Sequence, residues 1–141
     1  GDPFRDIGVA QPPRTAAALA GSIVCIQTFN IDSRGRVPGR DRAAVLANLS
    51  RECSRVRMHG ATGVDLAYVG AGILGGAISF GHHIWDHAAG GALVRAAGGV
   101  VTDLAGAPWT AESKSALAAG PGLHERMLEI VKSAGNPEDY L

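Results

Sequence analysis

Apolar and polar positions change period several times along the chain. The run Ser22-Ile23-Val24-Cys25-Ile26 continues to Phe29 and reads as a buried strand, followed by a turn-rich loop over Asn30 to Gly39 with Asp32-Ser33-Arg34-Gly35 and Pro38-Gly39. Asp41 is expected to cap a helix in which Val45, Leu46, Leu49 and Cys53 recur at three- and four-residue spacing, so one face is apolar. Ser54 to His59 reads as a short strand ending at Gly60. Thr62-Gly63-Val64-Asp65 has the form of a capping box opening a second helix through Leu66, Tyr68, Val69 and Ala71, which ends at Gly72. A strand over Gly76 to Phe80 precedes a third helix that begins near Trp85-Asp86 and stops at Gly98-Gly99; its small residues Ala88, Ala89, Gly90, Gly91 and Ala92 predict very close packing on a sheet. Val100 to Leu104 is expected to be a strand, Ala105-Gly106 a turn and Ser115 to Ala119 a short strand. The last helix, Leu123 to Ser133, carries a core stripe of Leu123, Met127, Ile130 and Val131.

Strands that alternate with helices at short intervals describe an α/β domain, with helices packed on a largely parallel or mixed sheet. Residues 1–21 hold Pro3, Pro12 and Pro13 without a period and read as an irregular lead-in, leaving 22–141 as the folded domain. The chain opens Gly1-Asp2-Pro3-Phe4 with no initiator Met, which suggests a processed or trimmed start.

Composition narrows the function classes. Thirteen Lys and Arg balance thirteen Asp and Glu, so no net field draws the chain to nucleic acid. Arg34, Arg36, Arg40, Arg42, Arg51, Arg55 and Arg57 lack the aromatic interleaving that stacked bases require and read as a solvated surface. No apolar run approaches the roughly 20 residues of a membrane span, and the first residues do not form a signal peptide. Cys25 and Cys53, the two cysteines, read as buried reduced thiols, which fits a cytoplasmic protein.

The densest polar cluster is His82-His83-Ile84-Trp85-Asp86-His87, and three readings compete for it. Zinc would take several of the His as ligands, although adjacent side chains diverge. Alternatively, the His residues line an exposed loop and Asp86 caps the helix. In the third reading Asp86 is a hard oxygen ligand to Mg²⁺, its negative charge favoured by the dipole at the helix start. Magnesium asks for further carboxylates or a substrate phosphate, and Asp65, in a capping box, and Asp103, at a strand end, are not obvious partners. At the strand-to-helix junction Gly60-Ala61-Thr62-Gly63, small residues would let a ligand approach the backbone amides or would serve close packing alone.

Taken together, Gly60-Ala61-Thr62-Gly63-Val64-Asp65-Leu66-Ala67-Tyr68-Val69, then Gly72, Trp85-Asp86-His87-Ala88-Ala89-Gly90 and Leu93-Val94-Arg95-Ala96-Ala97-Gly98-Gly99-Val100-Val101 resemble the carboxy-terminal half of the inositol monophosphatase family. They are similar to its Gly-Ser-Ala-Ala stretch, its Trp-Asp-x-Ala-Ala-Gly signature and its Glu-Ala-Gly-Gly helix end, in that order. The resemblance implies the carboxy-terminal sheet-and-helix half of a layered α/β/α/β/α sandwich. It also implies a homodimeric Mg²⁺-dependent phosphatase for inositol 1-phosphate or another small phosphorylated polyol or sugar, in which two or three Mg²⁺ activate water for in-line attack on phosphorus.

By the same resemblance Asp86 is the metal ligand, the catalytic residue of this half and a contact to a substrate hydroxyl. Gly60, Ala61 and Thr62 lie against the sugar or polyol ring, and His83 is a basic residue near the pocket mouth. Ser79 stands where inositol-hydrolysing members place a Glu. A hydroxyl cannot supply the two acceptor oxygens of a carboxylate, which opens the site to histidinol phosphate, fructose 1,6-bisphosphate or a nucleotide 3′-phosphate. The family's Gly-Glu-Glu and Asp-Pro-x-Asp-Gly-Thr motifs do not occur in these residues. The expectation is therefore that an amino-terminal half of the same polypeptide completes the site and that this chain alone is inactive, with a non-catalytic binding module on the same fold as the alternative.

Overall fold

The structure, a computed structural model, describes residues 16–27, 37–59, 62–70, 74–81 and 84–135, of which 16–18, 59, 62–64, 84 and 86 are described by their backbone alone. A 3₁₀ helix over Ala16–Gly21 leads into β1 (Ile23–Gln27), α1 (Gly39–Glu52), β2 (Arg55–His59), α2 (Thr62–Gly70), β3 (Gly76–Ser79), α3 (Ile84–Ala96), β4 (Val100–Thr102), β5 (Ala116–Ala119) and α4 (Pro121–Ala134). The sheet order is β2-β1-β3-β5-β4, with β1 parallel to both β2 and β3 and with β5 antiparallel to β3 and β4. The sheet is thus mixed, as the alternation of elements led us to expect.

Alternation along the strands sorts the core into two halves. Val24 and Ile26 of β1, Ile78 of β3, and Leu117 and Ala119 of β5 point to one face, where Val45 and Leu49 of α1 and Leu123, Met127, Ile130 and Val131 of α4 cover them. Cys25, Ala77, Ala116 and Ala118 point to the other, under Leu66 and Val69 of α2 and Val94 of α3. The stripe foreseen on α4 is therefore core. Leu19 of the 3₁₀ helix joins the first cluster; residues 1–15 of the expected lead-in lie outside the described residues. Arg126 of α4 reaches Glu52 of α1 at 2.6 Å and Glu129 of its own helix at 2.8 Å, tying the two helices at their exposed edge.

Three local expectations are corrected. Asp41 does not cap α1: the N-cap is Pro38, whose carbonyl accepts from the Asp41 and Arg42 amides at 3.0 and 3.2 Å. Proline presets the backbone for a helix entry, so Asp41 falls in the first turn, where it is buried. Arg42 is not a solvated surface residue. Its Nε donates to the Val37 carbonyl at 2.8 Å and its guanidinium lies 4.9 Å from the centre of the Phe80 ring, a cation–π stack in which burial lowers the Arg42 pKa from its ordinary value. The glycines of α3 bring it closest to a helix rather than to the sheet. A Cβ at Gly90 would stand 2.4 Å from Leu66 Cβ of α2, whereas one at Gly91 would meet Val101 of β4 at an ordinary 3.7 Å. α3 ends where Gly98 adopts φ +90 and its amide donates to Arg95 O at 3.0 Å, with Gly99 donating to Val94 O at 2.8 Å.

Candidate active site

Because β2, β1 and β3 run parallel, the helices that follow β2 and β3 both begin at one edge of the sheet, beyond the carboxyl ends of the strands, the usual location of ligand sites in open α/β sheets. The register sets His59 beside Gln27, with the end of β3 on the other side of β1. Backbone amides at the helix starts, unpaired within their own helices, give such an edge a positive character suited to phosphate.

The residues singled out from sequence distribute over this edge. Thr62 is the first residue of α2 and Asp86 the third of α3, so both belong to first turns. Gly60, Ala61, His82 and His83 lie outside the described residues. Ser79 ends β3 and is buried, and its hydroxyl donates to Gln27 Oε1 at 3.3 Å. The same oxygen accepts from the Phe80 amide at 2.8 Å and the Gly81 amide at 3.1 Å. Gln27 was not visible in the sequence as a site residue, since its partners lie more than fifty positions away and no motif surrounds it.

The His-rich cluster splits. Trp85 is 86% exposed, while His87, two positions on, is fully buried and meets the Trp109 ring edge-on at 5.9 Å. His87 thus belongs to the core between α3 and the segment after β4, not to an exposed loop. Among the described residues no three His, Cys, Asp or Glu side chains come together to hold a metal ion. A magnesium centre needs few protein carboxylates where a substrate phosphate supplies oxygens.

The remaining acids and thiols serve the fold. Asp103 accepts from the Ala105 and Ala107 amides at 2.9 and 3.0 Å and so closes its own turn. Asp65, on α2, is buried against Cys25 of β1. Burial, helped by the neighbouring Asp65 charge and its hydrogen bond, pushes the Cys25 thiol up to about 12. Both cysteines are buried and neither is in a disulfide, as foreseen.

The model of the Inositol monophosphatase family matches residues 7–136. The inositol-1-monophosphatase ImpA of Mycolicibacterium smegmatis is 77% identical over 141 residues, which is all of this chain and 51% of that protein. The probable inositol 1-monophosphatase ImpA of Mycobacterium tuberculosis is 64% identical over 140 residues, 99% of this chain and 52% of that protein. The chain therefore spans about half the length of the curated relatives it matches. Among solved structures, the Thermotoga maritima IMPase superposes with a TM-score of 0.74 at 24% identity, covering 87% of this chain and 45% of that one, a likeness of fold. From the matched signature, the mixed sheet and these relatives together, the chain belongs to the inositol monophosphatase family.

Proposed function

We propose that this chain forms the carboxy-terminal wall of a magnesium-dependent phosphate monoesterase that hydrolyses inositol 1-phosphate or a related small polyol or sugar phosphate. The observation that carries the reading is the convergence of two helix starts on one sheet edge, with the Asp of the family signature in the first turn of α3. Bound magnesium would supply Lewis-acid activation of water and neutralise the leaving alkoxide.

The chain's own residues have simpler tasks. Asp86 offers one carboxylate oxygen to the cation and holds a substrate hydroxyl. Gly60, Ala61 and Thr62 leave room for the ring against the backbone, and His83 presents a basic group near the mouth. Ser79 gives its hydroxyl proton to Gln27, so only its lone pairs remain for substrate. One carboxylate does not hold magnesium, and the family's Glu-Glu and Asp-x-Asp motifs do not occur in these residues, so the 141-residue chain by itself is expected to show no turnover. A homodimer, which the family resemblance implies, and a cytoplasmic location, which the reduced thiols fit, are part of the same proposal.

The neutral Ser79 favours a second reading within the same chemistry: histidinol phosphate, fructose 1,6-bisphosphate or a nucleotide 3′-phosphate as the preferred ester. Phosphate release measured on full-length protein across these esters, with and without Mg²⁺, ranks the substrates. Asp86→Asn is expected to lower Mg²⁺-dependent release by about 100-fold with the unfolding midpoint unchanged. Near-normal turnover in that variant removes Asp86 from the metal site. Tight binding of an ester without release from any of them would instead support a non-catalytic module.

A further inference from the structure

We propose that Gln27 is a positioning residue that fixes the take-off of the segment carrying Asp86, an inference that rests on the metal role given to Asp86 above. The β1–β3 ladder ends at the pair Ile26–Ile78. One step further along, the backbone pairing is replaced by a side chain: Gln27 Oε1 receives the Phe80 amide at 2.8 Å, the Gly81 amide at 3.1 Å and the Ser79 hydroxyl at 3.3 Å. A carbonyl oxygen has two lone pairs, so the two amides fill them, and the longer Ser79 contact shares the same oxygen. Ser79 and Phe80 are buried, so these donors have little access to water as a substitute partner.

The geometry has a direction. Gln27 shares strand parity with Cys25, and Ser79 with Ala77, so both belong to the face covered by α2 and α3. Gly81 is the last described residue before α3, and Asp86 follows five positions after it. The body of α3 is fixed elsewhere, by Gly90 against Leu66 and by His87 against Trp109. Gln27 fixes the other end of the connection, so the first turn of α3 is held between two anchored points.

The test uses full-length protein and three variants. Gln27→Met removes the acceptor at similar volume, Gln27→Asn withdraws it by one methylene, and Gln27→Glu keeps an oxygen for the same donors. Hydrogen exchange at the Phe80 and Gly81 amides is expected to quicken about tenfold in Gln27→Met, with the amides of Leu117 and Met127 unchanged, and to return toward wild type in Gln27→Glu. The dissociation constant for Mn²⁺, followed by electron spin resonance, is expected to rise roughly tenfold in Gln27→Met, a proportion found for residues that orient metal ligands. If Gln27→Met does not fold, Gln27→Asn carries the same comparison. Unchanged exchange at Phe80 and Gly81 overturns the clamp. Faster exchange with unchanged Mn²⁺ affinity overturns the positioning role. Wild-type protein that binds no Mn²⁺ overturns the metal reading beneath it, and with it the positioning role, while the exchange result shows separately whether the clamp exists.

Discussion

His124 Nε2 lies 2.8 Å from the hydroxyl oxygen of Thr102, joining the first turn of α4 to the end of β4 through the buried core. The Thr102 hydroxyl gives its proton to the Asp103 carbonyl at 2.7 Å, which leaves its oxygen to accept from the ring and assigns the Nε2–H tautomer. Burial lowers the His124 pKa below the ordinary histidine value, opposed in part by a hydrogen bond to the Leu117 backbone. The unfolded chain therefore binds a proton before the folded one does. Stability is complete above the unfolded pKa near 6.5 and is lost as pH falls through the lower folded value. Urea unfolding of the chain between pH 8 and pH 5 is expected to show that decline, and His124→Gln to flatten it. An equal slope in both proteins contradicts the assignment.

The approach of α2 to α3 predicts opposite outcomes at neighbouring glycines. Gly90→Ala drives a methyl group into the Leu66 side chain, and overpacking of this kind costs about 1–3 kcal/mol, more than the roughly 1 kcal/mol that alanine returns in helix propensity. Gly91→Ala meets Val101 at normal contact distance and is expected to stabilise by up to about 1 kcal/mol. Denaturant midpoints of the two variants should fall on either side of wild type.

Cys25 is predicted to be inert. With its thiol pushed up to about 12, it stays protonated and unreactive across the neutral range, and Cys53 is likewise raised by burial. Iodoacetamide at pH 8 should label neither cysteine in the native chain and both after unfolding, as read by peptide mass spectrometry. The raised value also means that the Cys25 contribution to stability is whole below pH 9 and is lost as pH climbs from there toward 12.

The two tryptophans offer a direct view of the α3 surface. Trp85 is 86% exposed and Trp109 only 7%. Iodide should quench the Trp85 component of the fluorescence and leave Trp109 untouched, so Trp85→Phe should abolish most quenching. Quenching that survives this substitution would place Trp109 in solvent and contradict its packing on His87.

Long apolar patterns carried most of the architecture in the sequence. The stripe of α4, the buried run of β1 and the glycine stop of α3 are local effects of periodicity and backbone freedom, and each was readable from neighbours in the chain. Relations between distant residues were not. Nothing near Gln27 announces that its amide will complete a ladder with Phe80 and Gly81, and nothing near Arg42 announces the Phe80 ring that draws it out of solvent. Strand β3, four residues long and buried throughout, has no alternation to reveal its faces. Asp41 misled because a good capping side chain stood three places after a proline that sets the helix entry without one. For the candidate site, the Trp-Asp signature located Asp86 at the start of a helix, and the sheet order then put that start at the edge where α2 also begins.

The place of β5 also constrains how the chain is made. Among the described residues β4 meets the other strands only through β5, which arrives last among them and lies between β3 and β4. During synthesis, Val100–Thr102 leaves the ribosome before its hydrogen-bonding neighbour exists, so the sheet stays in two pieces until Ala116–Ala119 emerges. Stalling or proteolysis just upstream of Ala116 would therefore release a polypeptide with bare strand edges on β3 and β4, a species prone to aggregate rather than a smaller version of the native fold.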